Sequence, residues 1–112
     1  MKLHSYFSRS GRDMVMPYID ALPEAERVDG YSVLEYLQNG EFDKIKYKRW
    51  QKKVYEVYFF KHNRIFYIVA DGDNIYLLHA CRKQKNKTEK IDKKIVEERA
   101  KEVGSMLGKK FI

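Results

Sequence analysis

Three segments, "VYEVYFF" (54 to 60), "RIFYIVA" (64 to 70) and "NIYLLHAC" (74 to 81), follow one another with only "KHN" and "DGD" between them. Their aromatic and β-branched residues favour strands, and connections this short force neighbouring strands to run antiparallel. The stretch predicts a meander of three strands, with Lys46 to Trp50 as a candidate edge strand. The middle strands are apolar on both alternating faces, so the sheet needs helices on one side and part of its own aromatic wall on the other.

The flanking sequence supplies those helices. "LHSYFS" alternates with the period of a strand, over about 2 to 8. "SRSG" breaks it, and "RDMVMPYIDAL" carries Met14, Tyr18 and Leu22 at helical spacing around Pro17. Pro23 suits the first turn of a second helix over 23 to 38, with Val28, Tyr31, Leu34 and Leu37 as its apolar stripe. A last helix is predicted over 89 to 107, with Thr88 as N-cap and Ile91, Ile95, Val96, Ala100, Val103 and Leu107 facing inward. The expected fold is α+β, β-α-α-β-β-β(-β)-α, an antiparallel sheet packed against helices in one domain spanning 1–112.

Charge is uneven along this order. Residues 1 to 43 are net −4, "KIKYKRWQKK" (44 to 53) carries six cations and no acid, and residues 82 to 94 are net +5, in a chain of net +7. Two basic blocks flanking a nearly neutral middle suit a polyanion, whose counterions they displace, or simply keep the protein soluble. Tyr47, Trp50 and Tyr55, in or beside the first block, favour nucleic acid over a membrane, because exposed rings stack on bases. One cysteine and three scattered histidines give no disulfide and no zinc-ligand spacing, so no metal and no cofactor is expected. No apolar stretch approaches the roughly 18 to 20 residues of a membrane span, and no signal peptide is visible, which predicts a cytoplasmic protein.

Strand parity locates the candidate chemistry. If "DGDN" turns so that Ala70 opposes Ile75, then Phe66 opposes His79, Arg64 opposes Cys81, and Arg64, His79 and Lys83 share a face. Arg64 then either snorkels at the sheet edge, contributing little to the core, or grips a phosphate through its planar fork. His79, with an ordinary pKa of about 6.5, either moves protons or is satisfied within the sheet. Tyr58 and Tyr67 either pack or meet a base. Lys52 and Lys53 are candidates for steering RNA, and Arg82, Lys85 and Lys87 for contacting it beside Lys83.

The ordered pieces Val54-Tyr55-Glu56-Val57, Arg64-Ile65-Phe66-Tyr67 and Leu77-Leu78-His79, followed by Lys83, Lys87 and Thr88, resemble the RelE/HigB superfamily of bacterial toxins, specifically its phage-derived HigB-like branch. "GRDMVMPYIDALPEAER" is similar to that family's first helix and turn. Tyr58 stands where the family usually has Arg, and Ala80, Cys81 and Glu89 also depart from its pattern. The resemblance implies the toxin of a type II toxin-antitoxin system, a RelE-like fold, and an mRNA endoribonuclease working on the ribosome. It further implies metal-independent attack of a ribose 2′-hydroxyl, with Arg64, His79 and Lys83 as catalytic residues, and a cognate antitoxin of helix-turn-helix type. The alternatives are a non-catalytic RNA-binding module, an inactive relative of such a toxin, or a protein-interaction module docking through the acidic first 43 residues.

Overall fold

A computed structural model describes residues 1–83 and 88–112. Its strands are β1 (Lys2–Ser5), β2 (Lys46–Gln51), β3 (Val54–Phe59), β4 (Asn63–Val69) and β5 (Asn74–Arg82); its helices are α1 (Met16–Asp20), α2 (Glu24–Gln38) and α3 (Lys90–Leu107), with a 3-10 turn at Phe42–Lys44. The strands form one sheet in the order β1-β5-β4-β3-β2. The antiparallel meander is as predicted, including the edge strand β2.

The sheet as a whole is mixed, because β1 pairs with β5 in parallel. Tight turns impose antiparallel pairing from β2 onward, whereas α1 and α2 separate β1 from the meander and free it to lie parallel at the far edge. β1 ends at Ser5 rather than near residue 8, and Phe7 makes only an isolated bridge to Asp13. The Asp13 carboxylate accepts the backbone N–H groups of Val15 and Met16 at 2.9 and 3.0 Å, and Pro17 lies in the first turn of α1, so it starts that helix instead of interrupting it.

Helices cover both faces of the sheet, where an aromatic wall was expected on the second. α1 and α2 pack Val15, Ile19, Leu34 and Leu37 against Val57, Ile65, Tyr67 and Leu77. α3 packs Val96, Ala100 and Val103 against Phe66, Ile68 and Leu78 on the other side. Only the last residue of β4 is exposed, and alternating apolar side chains on both faces of a central strand demand a layer on each. No described helix is long and apolar enough to cross a membrane.

α2 is rotated from its predicted stripe. Leu34 and Leu37 are buried, but Val28 and Tyr31 are exposed, and Glu26, Gly30 and Val33 take the inner face. Gly30 permits this: a Cβ there would lie 2.9 Å from Phe59 Cε2, so only glycine lets the helix approach the sheet so closely. In α3 the N-cap position is Glu89 rather than Thr88, and Ile91 points outward.

The β4–β5 register places Phe66 opposite His79 and Arg64 opposite Cys81, as parity predicts. Nearer the turn, Ile75 faces Val69 and not Ala70. A bulge between the Tyr67–Leu77 and Phe66–His79 pairs absorbs the extra residue. Leu77 consequently faces α1 and α2, while Leu78 joins the α3 side, where His79 stacks with Phe66.

Candidate functional site

Two rows of side chains cross the sheet on the face that α3 only partly covers. One runs Lys46, Tyr58, Arg64, Cys81; the next runs Lys48, Glu56, Phe66, His79. Strand alternation keeps each row on one side, and the diagonal between rows brings Arg64 to Glu56. The Arg64 Nη1 donates to Glu56 Oε2 at 2.7 Å. Glu56 Oε1 accepts the Tyr58 hydroxyl and faces the Lys48 ammonium at 3.5 Å. The Arg64 guanidinium also lies 4.6 Å from the centre of the Tyr58 ring, within cation–π range.

Burial gives this cluster its strength. Glu56 is fully buried, Arg64 is 4% exposed and Lys83 8% exposed, whereas the Lys48 side chain remains 55% exposed. Arg64 is therefore not an edge residue of little consequence to the core: its partner carboxylate has no access to water. Among the described residues, the Arg64 Nε has no hydrogen-bond partner. Lys83 follows the parity of Arg64 past the end of β5, and its backbone N–H donates to the His62 carbonyl at 2.8 Å. Burial, and then the nearby Arg64 charge, pull the Lys83 ammonium below the ordinary lysine range. Burial and its bond to Glu56 push the Tyr58 hydroxyl above the ordinary tyrosine value. Glu56, Lys48 and Lys83 open onto a groove of about 430 Å³ that Trp50, Thr88 and Lys93 help to line. The Trp50 indole N–H donates to the Thr88 hydroxyl at 3.0 Å and its ring meets Phe66 edge-on, which fixes that wall.

The other predicted residues separate. His79 lies in the adjacent row beneath α3, its Nε2 2.7 Å from the Asp92 carboxylate and its Nδ1 3.4 Å from Arg99 Nη1, so proton transfer through it requires release from one of these partners. Desolvation beneath α3 lowers its pKa, against the opposing pull of Asp92. Arg82 turns to the opposite face, where it donates to Glu26 at 2.7 Å and to the Lys61 carbonyl at 3.0 Å. Tyr67 is buried on that same opposite face, beneath Tyr55, in a cleft that Lys53 also lines. Lys52 sits at the β2–β3 turn with a left-handed φ of 53°. Lys85 and Lys87 lie outside the described residues.

Parity thus brings Arg64 and Lys83 together but leaves Tyr58, Glu56 and Lys48 to the structure. The signal for Glu56 was present: it is an acid at a core-facing position of an otherwise apolar strand, and such a charge needs a partner. A family model described as "Phage derived protein Gp49-like (DUF891)" matches residues 17–101, which hold the whole cluster. No curated protein matches the chain.

Proposed function

Because this chain belongs to the Gp49-like family of phage-derived proteins, a toxin-antitoxin-related family, we propose that it is a toxin cutting mRNA on the ribosome, built on a RelE-like fold. The observation that carries this reading is the charge of the cluster: three cations, Lys48, Arg64 and Lys83, gather around one carboxylate, Glu56, and Lys48, Glu56 and Lys83 line a groove behind which Arg64 is buried. A phosphodiester gains a second negative charge as it becomes a pentavalent phosphorane. The formal +2 of the cluster complements that dianion better than the monoanionic ground state, and differential binding of this kind lowers a barrier.

Roles follow from position. Lys48, Arg64 and Lys83 hold the non-bridging oxygens. Glu56, buried and within reach of the groove, accepts the proton of the attacking ribose 2′-hydroxyl. Lys83, its ammonium made more acidic by burial, supplies a proton to the departing 5′-oxygen. The cut leaves a 2′,3′-cyclic phosphate and needs no metal. Tyr58 orients Glu56, and His79 supports the row from beneath α3 or, once released from Asp92, moves protons itself. Lys52 and the basic residues from 82 onward meet ribosomal or messenger phosphates. A cognate antitoxin of helix-turn-helix type restrains the toxin.

A second reading, a non-catalytic RNA-binding module, is favoured by one observation: Glu56 and the Tyr58 ring already engage the Arg64 guanidinium. Lys83→Met separates the two. It removes a buried ammonium that makes no salt bridge among the described residues, so the variant folds at least as stably as the parent. In a translation reaction with a reporter message, the parent should leave 2′,3′-cyclic phosphate ends, and the folded Lys83→Met should cut about a hundred- to a thousandfold more slowly. A folded parent chain that shifts RNA without cutting translated messages would establish the binding module instead.

A further inference from the structure

The face beneath α3 holds a second constellation, of which the nuclease reading draws on His79 alone. A ring nitrogen of His79, the Cys81 thiol and a carboxylate oxygen of Asp92 all lie within 4.8 Å of one another. His79 and Cys81 are alternate residues of β5, directed to one side by its pleat, and Asp92 comes from the first turn of α3. Spacing along the sequence hides this trio, because one ligand sits on the facing helix rather than beside the others.

We propose that His79, Cys81 and Asp92 form a reversible Zn²⁺ site that ties the start of α3 to β5. The donor set selects the ion: one imidazole nitrogen, one thiolate and one carboxylate suit a borderline-soft cation in tetrahedral geometry, with the fourth position left to water, whereas Ca²⁺ and Mg²⁺ call for oxygen ligands throughout. Bonds of about 2.0 to 2.3 Å place tetrahedral ligand atoms roughly 3.3 to 3.8 Å apart. The trio therefore closes by about 1 Å at its widest, and His79 and Asp92, now 2.7 Å apart, open to admit the ion.

Charge balance allows the ion among nearby arginines. Cys81 gives its thiol proton to solvent as the sulfur–zinc bond forms, so Zn²⁺, thiolate and carboxylate sum to zero, and Arg64, cross-strand from Cys81, and Arg99 meet one added positive charge instead of two. The ring hydrogen of His79 then resides on Nδ1. Arg99 keeps its 2.8 Å bond to the Leu78 carbonyl and gives up its 3.4 Å contact with that nitrogen. The ion crosslinks strand and helix, and it takes no part in RNA cleavage, so this site stands whether or not the chain is a nuclease.

The test uses the purified full chain with Zn²⁺ or Co²⁺ alone. Zn²⁺ should be taken from a chromophoric chelator with one-to-one stoichiometry and should raise the melting temperature. Co²⁺ should give tetrahedral d–d bands and a thiolate-to-cobalt charge-transfer band, which can report only Cys81 because the chain has a single cysteine. Cys81→Ser and Asp92→Asn, checked for folding by circular dichroism, should each bind Zn²⁺ at least tenfold more weakly, whereas His62→Gln should bind as the parent does. Absence of the charge-transfer band in the folded parent overturns the site without recourse to any variant. So does Zn²⁺ binding that folded Cys81→Ser and Asp92→Asn retain at full strength.

Discussion

Removing the Arg64 guanidinium strands a carboxylate. Glu56 has no exposed surface, and its 2.7 Å bond from Arg64 is its shortest contact with a cation; what would remain is the Tyr58 hydroxyl and a half-exposed Lys48 at 3.5 Å. Breaking a buried pair from one side costs about 3–5 kcal/mol, because the abandoned charge keeps its desolvation penalty. Lys48 offsets part of that by moving closer, which places Arg64→Met near the lower end. For a chain of 112 residues, at about 4 °C per kcal/mol, the melting temperature should fall by about 12 °C. Glu56→Gln alone leaves Arg64 buried against a neutral amide and costs a similar amount. The double variant removes both charges, so it should be less destabilised than the two single effects predict, with a coupling of about 2 kcal/mol. Urea titrations of the four proteins, read by circular dichroism under one buffer condition, complete the cycle. Single effects below about 1 kcal/mol, or effects additive within about 0.5 kcal/mol, refute the argument that this pair is buried and interdependent.

Lys48→Ala should leave stability within about 0.5 kcal/mol, since the side chain is half exposed, yet weaken RNA binding and reduce by about one the slope of log affinity against log salt; filter binding across a salt series measures both. Glu26 is held below the ordinary 4.5 first by the hydrogen bond from Asn63 and then by Arg82, against the opposing effect of burial. A carboxyl depressed in the folded state adds stability above its unfolded pKa and loses it as pH falls through the folded value, so Arg82→Met should flatten the fall in stability below pH 4.5; unchanged acid denaturation curves would count against this network. Gly30→Ala forces a methyl to within 2.9 Å of the Phe59 ring and 3.1 Å of Ile19 Cγ2, and chemical denaturation should show a loss of about 1–3 kcal/mol.

Local pattern exposed the meander because its cause is local: short turns, β-branched residues and alternation act within a few positions. The Phe66–His79 and Arg64–Cys81 pairs were legible for the same reason, since alternation along β4 and β5 acts over the same short range. Features decided at longer range were not. The parallel docking of β1, the rotation of α2 about Gly30 and the arrival of α3 on the second face each depend on how whole layers meet. The bulge beside Leu78 made pairing near the turn one residue different from pairing near Arg64, which no uniform register could express. Arg82 and Lys83 show the limit within the site: neighbours in sequence, they go to opposite faces, and Glu26, far away on α2, claims the first.

The placement of β1 bears on how the protein is born. β1 is made before the meander, but its partner residues Asn74 to Leu77 belong to β5, so an early segment is among the later ones to find its neighbour. Meanwhile Phe66, Ile68 and Leu78 await Val96, Ala100 and Val103 from α3. A nascent chain arrested before those residues exposes an apolar sheet face with Glu56 and Arg64 on the same wet surface, where their attraction is screened and chaperones and proteases find them. The desolvated cluster thus matures only after α3 has been made, so the charge arrangement proposed to act on ribosomes cannot assemble in a chain whose α3 is still to be translated.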